Sequence, residues 1–235
     1  MHLAEGVLPA GQAAVWFVPA AVAVGVGVRG LRTQTKEGRQ RKIMIGMVGA
    51  LVFAISLMPI PVPVAGSVSH PCGTPLAAIL LGPWVSTLVA AISLLFQALF
   101  FAHGGLSTWG ANIVSEGIAG SFVGVGAFLL SRRMGFSLFV CGFLAGFLGD
   151  LAVYAVTALE LSLGLFGVQQ IGREWLILFG SFLPVQGPIA LGEALLTGGV
   201  LTYVAKVRPD ILIHLRVIKH PPEPVTPVTP EGASA

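Results

Sequence analysis

Charge is scarce in this chain. Only 10% of its 235 residues are Asp, Glu, Lys or Arg, and 55% are hydrophobic, against about 25% charged in an ordinary soluble domain. That balance excludes a water-solvated globule and points to a lipid bilayer. The net charge of +3 follows from membrane topology and calls for no nucleic-acid partner. Cysteine is nearly absent. Cys72 and Cys141 stand in separate segments, which excludes a disulfide framework or a CxxC pair and argues against redox chemistry. No GxxxxGK[ST] loop occurs, so the chain does not cradle ATP phosphates by that device. The opening stretch MHLAEGVLPA holds no Lys or Arg and carries Glu5, unlike the basic start of a secretory signal.

What is abundant is apolar sequence in membrane-length runs. A spanning helix needs about 20 apolar residues, and candidates run over 11–28, 43–60, 75–102, 109–131, 135–158 and 182–205. The third is too long for one comfortable crossing and is broken by Gly82-Pro83, a pair that ends helices and permits a turn. If it crosses twice, with the N-terminus outside, every Lys and Arg except Arg173 falls on the inner side. A single crossing splits the basic residues almost evenly. The positive-inside rule selects two crossings. The expected fold is an all-α integral membrane protein of seven transmembrane helices, N-terminus outside and C-terminus cytoplasmic. Residues 1–10 form an N-terminal strand and 11–206 the membrane domain. Residues 207–235 form a tail, disordered from about 220 because its Pro-rich composition cannot bury a core. Residues 159–181 are expected to be an external connection with a short amphipathic helix around 175–182.

Two crossings have a structural cost. Residues 74–82 span only about 13 Å as a helix, too little for a core of about 30 Å. Such a helix requires a loop that reaches deep from outside and is buried in protein. That loop is 61–73, PVPVAGSVSHPCG, and it contains His70. It shares the outer face with Met1 and His2. The α-amine, the His2 backbone nitrogen and His2 Nδ1 can close two chelate rings on one metal, and His70 can add a further nitrogen. Such a set suits Ni(II) or Cu(II) and later transition metals generally, and disfavours Mg²⁺ and Ca²⁺, which prefer oxygen.

The stretches MHLAEGVLP, SVSHPCGTPLAAILLGP, FQALFFAHGGLSTWGAN, FLGDLAVYAVTALELSL and LPVQGPIALGEALLTGG resemble the substrate-binding membrane subunit of energy-coupling-factor cobalt and nickel importers, the CbiM/NikM family. The likeness runs to about residue 206. It implies a six-helix substrate-binding core with one added N-terminal helix, and metal binding through Met1, His2 and His70. It implies no resident cofactor, since Co²⁺ or Ni²⁺ is the substrate. The implied partners are a small CbiN-like membrane subunit, a CbiQ-like transmembrane coupling subunit and CbiO-like ATPase subunits. The implied location is the plasma membrane, and the implied purpose is supplying cobalt for cobalamin synthesis. A square plane of nitrogens leans to nickel, whereas SHPCGT and AHGGLSTWGAN resemble the cobalt branch, in which His103 stands where nickel relatives often carry Asp. Cobalt is the expected substrate.

Polar groups within the spans are costly and often functional. Glu5 is expected to anchor the N-terminal strand. Ser69, Thr74, His103, Asn112 and Ser115, with Glu116 beside them, are candidates to line the metal chamber or hold its ligands. Gln97, Asp150 and Glu193 are expected to tie helices together, Cys72 to be a bystander, and Gly142, Gly146 and Gly149 to permit close helix packing. A secondary transporter would show intramembrane acids on an ion path and often an internal repeat, and neither is evident. A membrane metalloenzyme would need an open coordination position and a nearby general base. No such base stands near His2 or His70 in the sequence. The chain is therefore expected to be a transport subunit and not an enzyme.

Overall fold

The computed structural model describes residues 2–57, 60–61 and 67–219. Met1, residues 62–66 of the expected site loop and the tail from 220 lie outside the described residues. Within them the chain is a helical bundle. α1 (Ala10–Thr35) begins directly after Pro9, and α2 (Arg39–Ser56) opens on the basic run RQRK. α3 (Thr74–Leu81) and α4 (Pro83–Phe100) are separated by Gly82 alone, whose φ of +85° makes the sharp turn foreseen at Gly82-Pro83. α5 (Trp109–Arg133) contains a stretch of wide π turns at Ile113–Gly120. α6 (Leu138–Phe166) is capped by Ser137, whose hydroxyl accepts from the Val140 N–H. α7 (Ile171–Val207) and the short α8 (Pro209–His214) complete the chain.

Among the described residues five helices, α1, α4, α5, α6 and α7, are long and apolar enough to cross a membrane. Large apolar side chains such as Val18, Leu130, Leu195 and Tyr203 stand exposed on their outer faces, as expected of surfaces that meet acyl chains. α3 is different: all eight of its residues are buried. At about 12 Å it is a half-helix enclosed by its neighbours, which is the environment a short intramembrane helix requires.

The connection 159–181 is not a loop. α6 continues to Phe166 and α7 begins at Ile171, with one tight turn at Val168–Gln170 between them. The region expected to form a separate amphipathic helix is the first part of α7. The helix runs through Gly164 in LELSLGLF and ends only before Gly167, and Glu160 and Ser162 turn inward, both buried. A polar residue buried against protein looks like a span end when only sequence is read. Pro184 and Pro188 lie inside α7 without ending it, a tolerance common in helices packed among others in membranes. α6 and α7 pack along most of their length. A Cβ on Gly142 would sit 2.8 Å from the Gly198 Cα, so this close approach depends on both glycines.

Three short strands complete the architecture. β1 (His2–Leu3), β2 (Ile60–Pro61) and β3 (Ser67–Ser69) form one antiparallel sheet in the order β1-β3-β2. The N-terminal strand thus pairs with the segment before His70, with His2 opposite Val68 and Leu3 opposite Ser67. Leu3 is fully buried against Ala111, Tyr154 and Phe182, which seats the start of the chain in the bundle.

Candidate metal centre

Strand pairing brings the imidazoles of His2 and His70 to 4.3 Å between ring centroids. The ring of His103, from the α4–α5 connection, closes on them at 4.6 and 5.4 Å. All three are buried, and one ring nitrogen from each lies within 4.8 Å of the others. His103, expected only among residues lining the chamber or holding its ligands, is therefore a candidate ligand.

Hydrogen bonds decide which nitrogen of each ring faces the shared space. Ser56 donates its hydroxyl to the Phe53 carbonyl at 2.9 Å, so its oxygen accepts from Gln97 Nε2 at 2.6 Å. Gln97 Oε1 must then face His2, where it accepts from Nε2–H at 2.7 Å. His2 Nδ1 is left with its lone pair. His70 donates Nδ1–H to the Pro71 carbonyl at 2.9 Å, which leaves Nε2 as the lone-pair nitrogen. His2 Nδ1, His70 Nε2 and His103 Nε2 are all buried without a hydrogen-bond partner among the described residues. Leaving such groups empty-handed is costly. A metal-binding histidine commonly donates its other N–H to a carbonyl or carboxylate, and His2 and His70 each donate theirs to a carbonyl oxygen.

Glu116, in the π-turn stretch of α5, borders the same space. Its Oε2 lies 3.5 Å from His2 Nδ1 and 3.9 Å from His70 Nε2. π turns often occur at functional sites, and this one carries the carboxylate towards the imidazoles. The arrangement offers a divalent cation three imidazole nitrogens and a carboxylate, all on buried side chains.

The other expected residues surround this centre in distinct ways. Asn112 clasps the N-terminal strand like a third chain: Oδ1 accepts from Leu3 N at 2.7 Å and Nδ2 donates to Leu3 O at 3.1 Å. Thr108 donates to the same carbonyl at 2.7 Å. Glu5 accepts from the Ser107 N–H at 3.1 Å, so it anchors the strand end. Its exposed carboxyl is held below the usual range by hydrogen bonds from Ser107. Ser69 donates to Gln186 Oε1 at 2.5 Å, and Tyr154 donates to the His70 carbonyl at 3.2 Å. Both hold the His70 loop from behind. Thr74 donates to the Glu116 carbonyl at 3.0 Å. Ser115 does not turn to the imidazoles; its hydroxyl donates to Ala111 O on its own helix.

Gln97 joins α2 to His2 through Ser56, so it both ties helices, as expected, and fixes a ring nitrogen. Thr108 was not anticipated, whereas Glu116 was expected, with Asn112 and Ser115, to line the chamber or hold its ligands. A lone glutamate in an apolar span was the available signal for Glu116. The glycines of the HGG motif also find a reason. A Cβ on Gly105 would meet Glu5 Cα at 2.6 Å, so the N-terminal strand passes where no side chain fits.

Comparison with known proteins identifies the family. The family model for the CbiM cobalt uptake substrate-specific transmembrane region matches residues 2–211. The cobalt transport protein CbiM of Sorangium cellulosum is 50% identical over 222 residues, covering 94% of this chain and 99% of that protein. The putative cobalt transport protein CbiM of Methanocaldococcus jannaschii is 38% identical, covering 99% of each chain. A crystal structure of a transition metal transporter superposes with a TM-score of 0.79 at 25% identity, over 93% of this chain and 99% of the other. The chain belongs to the CbiM family, on its cobalt branch, and is a membrane protein of cobalt uptake.

Proposed function

We propose that the chain is the metal-capture subunit of an ATP-driven importer of the energy-coupling-factor type, taking Co²⁺ from the outer face of the plasma membrane. The convergence of His2 Nδ1, His70 Nε2 and His103 Nε2 in a closed pocket carries this reading. Met1 supplies the α-amine and His2 its backbone nitrogen, and His70 completes the set. In this reading the bundle spans seven times, α3 serving as one half-length pass, with the N-terminus outside and the C-terminus cytoplasmic. A small membrane subunit, a coupling subunit and ATPases complete the transporter, since this chain has no phosphate-binding loop. The imported cobalt serves cobalamin synthesis.

His103 and Glu116 bear on the choice of metal. Four nitrogens in a plane suit nickel. A third imidazole and a carboxylate at the same space raise the number of available donors above four, which removes the restriction to a square-planar ion and accommodates cobalt, the metal named for the family. Purified protein offered cobalt and nickel in competition should load cobalt preferentially. His103→Ala should lose about tenfold or more in cobalt affinity, as losing a metal contact costs at least what losing its support costs. Nickel preference in the parent, unchanged by this substitution, would reject the cobalt reading.

A further inference from the structure

A second cluster of donor atoms lies deeper in the bundle. Cys72, Asp150 and Glu193 are buried, and one donor atom from each lies within 4.8 Å of the others. Cys72 Sγ stands 3.5 Å from Asp150 Oδ1. Glu193 accepts the backbone N–H groups of Cys72 and Gly73 at 2.6 and 2.8 Å, which leaves further lone pairs on both of its oxygens. Asp150 Oδ2 is buried and has no hydrogen-bond partner among the described residues. Neither acid is ion-paired with a lysine or arginine among those residues. Two buried acids side by side without a lysine or arginine must either share a proton or hold a cation, and a thiol beside them adds a soft donor for a metal.

The position of this cluster is set by the helices. Tyr154 donates to the His70 carbonyl, and Asp150 lies one turn before it on α6, about 6 Å along the axis. On α7, Gln186 holds Ser69, and Glu193 lies two turns beyond it, about 10 Å. α6 runs towards the N-terminal strand, where Gly164 meets Leu8, and α7 runs away from it. Both offsets therefore move the cluster in one direction, to the end of the bundle that carries Arg132, Arg133 and Lys206. The histidine pocket and this cluster stand in series along the bundle.

We infer that Cys72, Asp150 and Glu193 form an inner site for a divalent transition-metal ion, one step beyond the histidine pocket. Bond lengths of about 2.3 Å to sulfur and about 2.0–2.2 Å to oxygen place tetrahedral S and O ligands about 3.5 Å apart, the separation observed between Cys72 and Asp150. Sulfur selects transition metals over Mg²⁺ and Ca²⁺. Three protein ligands leave one position open, which suits an ion in transit rather than one held for capture. The three side chains form this site whether or not the histidines are the capture site.

The test is a Co²⁺ titration of the purified full chain, followed by sulfur-to-cobalt charge-transfer absorption in the near ultraviolet. In the parent protein the band should grow with the second equivalent. In His70→Ala it should persist and grow with the first, and in Cys72→Ala it should be lost. No band at saturating cobalt in either the parent or His70→Ala overturns the inference. So does a band that grows with the first equivalent in the parent and disappears in His70→Ala, because Cys72 would then serve the histidine pocket. Should His70→Ala fail to fold, X-ray absorption of the parent with two equivalents of cobalt decides instead. A sulfur neighbour at about 2.3 Å on half of the ions is expected, and nitrogen and oxygen neighbours alone overturn the inference.

Discussion

Gln97 Oε1 accepts from His2 Nε2 at 2.7 Å, and this one contact determines that Nδ1 is the His2 nitrogen facing His70 and Glu116. The order is imposed from α2, because Ser56 orients the amide by accepting from its NH₂. Gln97→Leu leaves the His2 N–H unpaired in an apolar setting and frees the ring to turn. Metal affinity should fall about 10–100-fold, whereas Gln97→Glu, which can accept the same bond, should retain most of it. Calorimetric titration with Co²⁺ decides; an unchanged constant for the leucine variant would remove the role assigned to Gln97.

Gly105→Ala tests whether binding depends on the seating of the N-terminal strand. The added methyl would meet Glu5 Cα at 2.6 Å and Glu5 N at 2.7 Å, both backbone atoms that cannot swing aside. Overpacking of this kind costs about 1–3 kcal/mol, so if metal requires the docked strand, affinity should drop about 10–100-fold. The control is Gly126→Ala, where a Cβ meets nothing within 4 Å. Equal affinities for the two variants would show that docking and binding are separate.

The free α-amine gives a third prediction, resting on the chelate proposed for Met1 and His2. A formyl group retained on Met1 adds few atoms but converts the amine into an amide and removes one ligand. Extension by a residue before Met1 does the same and shifts the terminus as well. Both forms should bind Co²⁺ at least tenfold more weakly than the deformylated chain, given what even indirect support of a ligand is worth. Three proteoforms separated by mass and titrated in parallel provide the measurement. If all three bind alike, the imidazoles act without the amine.

The acid limb of strand docking should belong in part to Glu5. Its carboxyl is held low in the docked state by the hydrogen bonds of Ser107. A group whose value is lower when docked favours docking above its free value and loses that contribution as pH falls through the docked one. Glu5→Gln should therefore weaken protection of the N-terminal amides from hydrogen exchange at pH 6–7, and the two proteins should converge below about pH 4. A difference that persists unchanged at low pH would assign the effect to shape rather than charge.

Much of the bundle was legible in the chain because lipid imposes simple rules. Long apolar runs mark α1, α4, α5, α6 and α7, and Gly82-Pro83 announces the turn after α3. His2 and His70 could be paired because a short helix needs a buried loop before it. The limits appear where burial is against protein instead of lipid. Glu160 and Ser162 resembled the end of a span, yet they turn into the bundle and α6 continues past them. The metal pocket shows the same division. Its residue types are written in the sequence, but which nitrogen each imidazole presents depends on Gln97 and Pro71. That His103 and Glu116 join His2 and His70 depends on a sheet register and on π turns in α5. Residues 2, 70, 103 and 116 are far apart in sequence, and neither hydrophobic period nor charge bias reports a contact between them. Only the packing of strand against helix, which buries Leu3 and clasps it with Asn112, brings four ordinary polar residues into one pocket.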